Sequence, residues 1–177
     1  MIYKFRMISD DEKAFLREYE LQSSDTFLNF HEFIQKDLGY DPQQLASFFL
    51  TDEQWNKGLE LTLIDMENDA GPAAIPMESV KLSDLLKKKK ERLIYVFDIF
   101  SDRCLFLELS DITQPNINIK YPLCRTSIGE APEQFRLDDF PLDVDYSDDD
   151  LDEITNDIGS FDNDLDLDQE ALPEEDY

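Results

Sequence analysis

Residues 93–109, LIYVFDIFSDRCLFLEL, hold two nearly continuous apolar runs, Leu93–Phe100 and Cys104–Leu109, on either side of Ser101-Asp102-Arg103. Runs of that length, rich in β-branched and aromatic residues and split by a polar turn, predict a β-hairpin. Little alternation within the runs predicts strands covered on both faces. Asp98 is the single charge inside the first run. A carboxylate in an apolar strand must find a donor or rise in pKa, and Arg103, just across the turn, is the expected donor. This segment therefore constrains architecture strongly and chemistry weakly.

The remaining elements fall around that hairpin. Ile2–Ile8 alternates Tyr3, Phe5 and Met7 with Lys4 and Arg6, and Ala14–Leu21 places Phe15, Tyr19 and Leu21 on one face, so the chain opens with a second hairpin. Phe27, Phe30, His31, Ile34 and Leu38 form one stripe at helical spacing. Asp25 or Thr26 is placed to cap that helix, and Gly39 followed by Pro42 to end it. Leu45–Leu50 and Leu59–Ile64 read as short strands, 65–79 as irregular, and Leu82, Leu85 and Leu86 as a short helix with Ser83 as its cap. Thr113–Gln134, with three prolines, reads as an extended arm laid over the domain. The sum is an α+β domain: a mainly antiparallel sheet with one principal helix packed on it, in an order resembling the β-grasp class.

Charge divides the chain. Of 42 Asp and Glu, 18 lie beyond Arg136, where there is no Lys or Arg; 24 acids against 16 bases remain in residues 1–136. Such a run repels itself and resists desolvation, so residues 1–136 are expected to fold and residues 137–177 to form a disordered acidic tail. The tail also carries apolar residues. Leu151, Ile154 and Ile158 share a helical face within 147–160, Asp148, Asp149 and Asp150 stand at the favoured end of that helix, and Tyr146 and Phe161 flank it. Alternating acidic and apolar residues mark a segment that folds on a partner's surface.

Several function classes lose support here. The acidic balance argues against direct binding to nucleic acid or anionic membranes. No run approaches the roughly 18 apolar residues a membrane span needs, and MIYKFRMISDDEK is charged where a signal peptide is apolar. Two cysteines suggest a reducing compartment, the cytoplasm, rather than a disulfide framework. Phosphate-loop, dinucleotide, HExxH and GxSxG motifs are all missing. His31, Cys104 and Cys124 have no metal-ligand spacing. Asp162-Asn163-Asp164-Leu165-Asp166 lacks the glycine and glutamate a calcium loop requires, having Leu167 and Pro173 there. No enzyme, cofactor or metal is expected. His31 sits on the helix's apolar stripe and reads first as a hydrogen-bonded core residue; a polar site built from Asp98, His31 and Arg103 is the alternative. Lys87–Lys90 reads as a solvated face at a helix end.

Three stretches carry a family resemblance: FLNFHEFIQKDLGYDPQQLASFFL (27–50), LSDLLKKKKERLIYVFD (82–98) and YPLCRTSIGEAPEQ (121–134). Together they resemble the plasmid pRiA4b ORF-3-like family over roughly residues 1–134, leaving the tail outside. The resemblance implies a fold, and, through the family's association with mobile elements, an accessory role in which the head touches nucleic acid. The charge pattern points elsewhere. It predicts a non-enzymatic interaction protein whose tail docks on a basic surface of a transcription, translation or transposition complex by imitating nucleic acid. A merely solubilising tail is the simplest alternative.

Overall fold

The computed structural model describes residues 1–64 and 74–135. The chain opens with β1 (Ile2–Ser9) and β2 (Leu16–Gln22), followed by α1 (Phe27–Leu38). Then come β3 (Ser47–Thr51), β4 (Lys57–Thr62) and β5 (Ile75–Pro76), with a single 3-10 turn at Met77–Ser79. The one-turn helix α2 (Leu82–Leu85) leads into β6 (Arg92–Asp98), β7 (Arg103–Thr113) and β8 (Leu123–Ile128). The eight strands form one sheet in the order β5-β4-β3-β6-β7-β1-β2-β8. Pairing is antiparallel except between β4 and β5. The fold is α+β, an antiparallel-rich sheet with one main helix, and its elements follow the expected order of hairpin, helix and further strands.

The apolar stripe explains where α1 lies. Phe27, Phe30, His31 and Ile34 are buried, and Gln35 joins them. Thr26 Oγ1 accepts from the Asn29 amide while Asn29 Oδ1 accepts from the Thr26 amide, a reciprocal cap that satisfies two free N–H groups. Gly39 closes the helix at φ 70°, where only glycine is unstrained. Below the helix, Tyr3, Phe5, Met7, Tyr19, Leu21, Phe48, Leu61, Leu93, Tyr95, Phe97, Leu105, Leu107 and Leu109 form the inner face of the sheet. Each large apolar side chain buried there contributes about 1.5–3 kcal/mol of transfer free energy.

The central hairpin is as expected in place and differs in pattern between its strands. In β6 both faces are buried, because Ile94 stands between Phe49 and Phe106 on the neighbouring strands. In β7 burial alternates, with Leu105, Leu107 and Leu109 inward. The outer face gains a cover from Trp55, whose ring meets Phe106 edge-on at 5.1 Å with the Arg92 guanidinium 4.9 Å above it.

Three expectations are corrected. The arm predicted for Thr113–Gln134 is partly a strand: β7 runs to Thr113, and β8 pairs with β2 and becomes a sheet margin. Proline content hid it, since Pro115, Pro122 and Pro132 all flank the six-residue strand and none interrupts it. The segment read as irregular ends in β5 and its following turn. Ser83 lies inside α2, and the Lys81 amide is capped instead by Asp84 Oδ2 at 2.9 Å. Lys87–Lys90 follows α2 as loop; Lys89 there pairs with Asp111 at 2.5 Å. No helix among the described residues is long and apolar enough to cross a membrane.

Candidate functional site: the groove beside α1

Helix spacing brings His31 and Gln35 to one face of α1, a turn apart. Both are almost fully buried, at 4% and 3% exposure. Beneath them β6 supplies Tyr95, also buried in the core. Gln35 Nε2 donates to the Tyr95 hydroxyl oxygen at 2.8 Å, and that hydroxyl lies 2.9 Å from His31 Nδ1. With the Gln35 amide in this orientation, the hydroxyl turns its own proton toward the imidazole, so that Nδ1 accepts and the ring's proton sits on Nε2. Burial lowers the pKa of His31 to about 4, and burial likewise raises that of Tyr95. Both groups are therefore neutral near pH 7. Gln35 Oε1 is buried with no hydrogen-bond partner among the described residues.

Above this chain of bonds lies an open groove of about 510 Å³. Leu28, Tyr40, Pro42 and Leu63 give it apolar walls, His31 and Gln35 a polar floor, and Glu32 and Lys36 a rim of opposite charges. Tyr40 is fixed by its hydroxyl, which donates to the Pro132 carbonyl at 2.8 Å, and by its ring, 5.2 Å from that of Phe97. On the other side of α1, Asp37 Oδ2 accepts from the Tyr19 hydroxyl at 2.7 Å and lies 3.4 Å from Arg17 Nε. Arg17 also donates from Nη1 to the carbonyls of Ile128 and Gly129, binding the end of β8 to β2. The arrangement has hydrogen-bonding capacity and sets the Tyr95 hydroxyl against the His31 imidazole.

The three residues suggested as a polar site do not share partners. His31 bonds Tyr95, as a core histidine should. Asp98 and Arg103 are register neighbours across the hairpin, yet the ion pair expected between them is absent. Arg103 Nε reaches Asp11 Oδ2 at 3.1 Å, and its guanidinium stacks 5.1 Å from the Phe97 ring. Asp98 Oδ1 instead accepts from the amides of Phe100 and Ser101, closing its own turn. The cause is a bulge at Val96/Asp98: Phe97 takes the inward position, so Asp98 points away from inward-facing Arg103. Two backbone donors thus replace the guanidinium that sequence spacing suggested.

Cys104 and Cys124 are free, on β7 and β8, with their thiol pKa values raised by burial. No group of three or more metal-ligating side chains occurs among the described residues. Tyr146, Asp148, Asp149, Asp150, Leu151, Ile154, Ile158 and Phe161 lie outside the described residues. Gln35 was the site residue that sequence reasoning overlooked. A polar residue four positions after His31, inside an otherwise apolar face, was the signal available for it.

Comparison with solved structures places the fold. The chain is similar to the crystal structure of a protein of unknown function from Methanosarcina mazei Go1, with TM-score 0.60 and 19% identity over 71% of this chain and 68% of that one. No curated protein matches the chain. Residues 2–134, from β1 through the segment that fixes Tyr40, match the family described as plasmid pRiA4b ORF-3-like protein, and the chain belongs to that family.

Proposed function

We propose that the protein is a non-enzymatic accessory that recruits a basic partner through its acidic C-terminal segment, with the family domain serving as a rigid carrier. The observation carrying this reading is the segregation of charge. Eighteen acids without one base follow Arg136. In the head, by contrast, acids outnumber bases, and seven of the fifteen Lys and Arg among the described residues are paired. Lys4, Arg17, Lys57, Lys89, Arg92, Arg103 and Arg125 each lie within 3.8 Å of a carboxylate. An arginine already bonded to a carboxylate must lose that pair to meet a phosphate, and with 24 acids against 16 bases residues 1–136 repel a polyanion as a whole. Eighteen of the 26 net negative charges lie in the segment beyond the family match, which suits a basic surface evolved for nucleic acid. Leu151, Ile154 and Ile158 supply apolar anchors, with Tyr146 and Phe161 beside them and Asp148, Asp149 and Asp150 steering the approach. Transcription, translation and transposition complexes all present such surfaces. Free cysteines suit a reducing, cytoplasmic setting.

The test compares two forms of the full-length chain as bait in native lysate: the parent, and one carrying Leu151→Ser, Ile154→Ser and Ile158→Ser. A basic protein retained by the parent, released by salt and lost with the substituted bait is the expected result. Identical retention by both baits, or tight binding of DNA by the parent at moderate salt, would overturn the reading.

A further inference from the structure

The groove beside α1 contains hydrogen-bonding capacity that the folded chain does not use. The relay from Gln35 Nε2 through the Tyr95 hydroxyl to His31 Nδ1 couples the state of each polar atom in it to the others. What it leaves over is one donor, His31 Nε2–H, and one acceptor, Gln35 Oε1, the latter buried without a partner. A buried acceptor left unmatched is costly enough to ask what would satisfy it. Rotating the Gln35 amide would reverse the whole relay and exchange donor for acceptor, so the floor presents one of each in either state.

We propose that this groove binds a neutral small molecule bearing a carboxamide or lactam edge, whose C=O accepts from His31 Nε2–H and whose N–H donates to Gln35 Oε1. A primary carboxamide or a lactam carries its acceptor and donor on the same side. A trans peptide bond points them in opposite directions, which disfavours an extended peptide as the occupant. Charge selects in the same sense. Glu32 and Lys36 oppose each other at the rim, and the lowered pKa of His31 keeps its ring uncharged, so nothing in the groove favours an ion. Leu28, Tyr40, Pro42 and Leu63 are walls for a flat apolar body, and about 510 Å³ is the scale of a small-molecule site. This inference stands apart from the role given to the acidic segment; neither needs the other.

Nitrogen-labelled full-length protein would be titrated with nicotinamide as carboxamide probe and uracil as lactam probe. Pyridine, lacking the amide, and nicotinic acid, carrying a charge, serve as controls. Saturable shifts of the Gln35 side-chain amide and the His31 ring with nicotinamide or uracil are expected, at least tenfold tighter than with either control. Gln35→Met, which keeps volume and removes both the acceptor and the donor to Tyr95, is expected to weaken that binding at least tenfold while unfolding stays cooperative. Pyridine binding as tightly as nicotinamide, or neither amide probe giving saturable shifts, would overturn the proposal. Both of these outcomes are measured on the unsubstituted chain, so they stand whether or not the variant folds.

Discussion

The Tyr40 hydroxyl donates to the carbonyl of Pro132 at 2.8 Å, tying the residue just past α1 to a segment 92 positions later. Gln134 Oε1 extends the clasp by accepting from the Asp41 amide at 2.6 Å. Pro132 and Gln134 are both buried, so the family match ends on a fastened strap. Tyr40→Phe would leave the carbonyl without its donor and is expected to lower stability by about 1–3 kcal/mol. Urea unfolding measures the loss, and the Asp41 amide should exchange with solvent faster in the variant.

His31 makes stability depend on acidity. Its folded pKa of about 4 lies below the ordinary 6.5. Below pH 6.5 the unfolded chain takes up a proton that the folded chain refuses until near pH 4, so the native state loses ground as pH falls through that window. The contribution is complete above pH 6.5 and has shrunk by about 2 kcal/mol at pH 5. His31→Gln is expected to flatten this part of the profile, as judged from urea midpoints at pH 7.5 and 5.

Gly129 and Gly39 both have φ 70°, and the two should respond unequally to alanine. A Cβ on Gly39 meets nothing within 4 Å, so only the left-handed backbone resists, at about 1 kcal/mol. On Gly129 it would sit 2.5 Å from the Ala14 carbonyl oxygen, a backbone atom that cannot swing aside. Gly129 also accepts from Arg17. Gly129→Ala is expected to destabilise by about 2–4 kcal/mol, strain and displacement combined, in thermal or urea unfolding.

Arg103 should behave against intuition. It is nine-tenths buried, its Nε meets Asp11, and both Nη atoms lack partners. Replacing it by a side chain of similar bulk removes a desolvated cation as well as an ion pair. Arg103→Met is expected to leave stability within about 1 kcal/mol of the parent or to raise it. Asp11→Asn keeps the cation and takes away its counter-charge, and is expected to be the more damaging of the two. Paired urea curves decide the order.

Legibility from sequence followed the locality of the interaction. The central hairpin and α1 were readable because each writes its pattern in consecutive residues: two apolar runs in one case, Phe27, Phe30, His31 and Ile34 in the other. The same stripe pointed His31 at the core, where it lies buried. What could not be read were partners chosen across long separations. Arg103 lies five residues from Asp98 and bonds Asp11, 92 positions away, because a bulge brings outward-facing Asp98 into register with inward-facing Arg103. β8 was missed because nearby prolines resemble a loop until β2 supplies its ladder. Arg17, between Phe15 and Tyr19 on the inward face of β2, broke the alternation openly; its bonds to Ile128 and Gly129 show why a cation is placed there.

The two margins of the sheet bear on how copies of this protein can meet. One is β5, two residues long, in which Pro76 has no N–H to offer. The other is β8, six residues long and carrying Arg125, whose guanidinium is tied back to Glu20 at 3.1 Å. β5 gives an incoming strand almost nothing to pair with, whereas β8 keeps the outer side of its backbone open, the template for strand-to-strand contact. Among the described residues β8 is therefore the margin through which strand-to-strand contact between copies has to run.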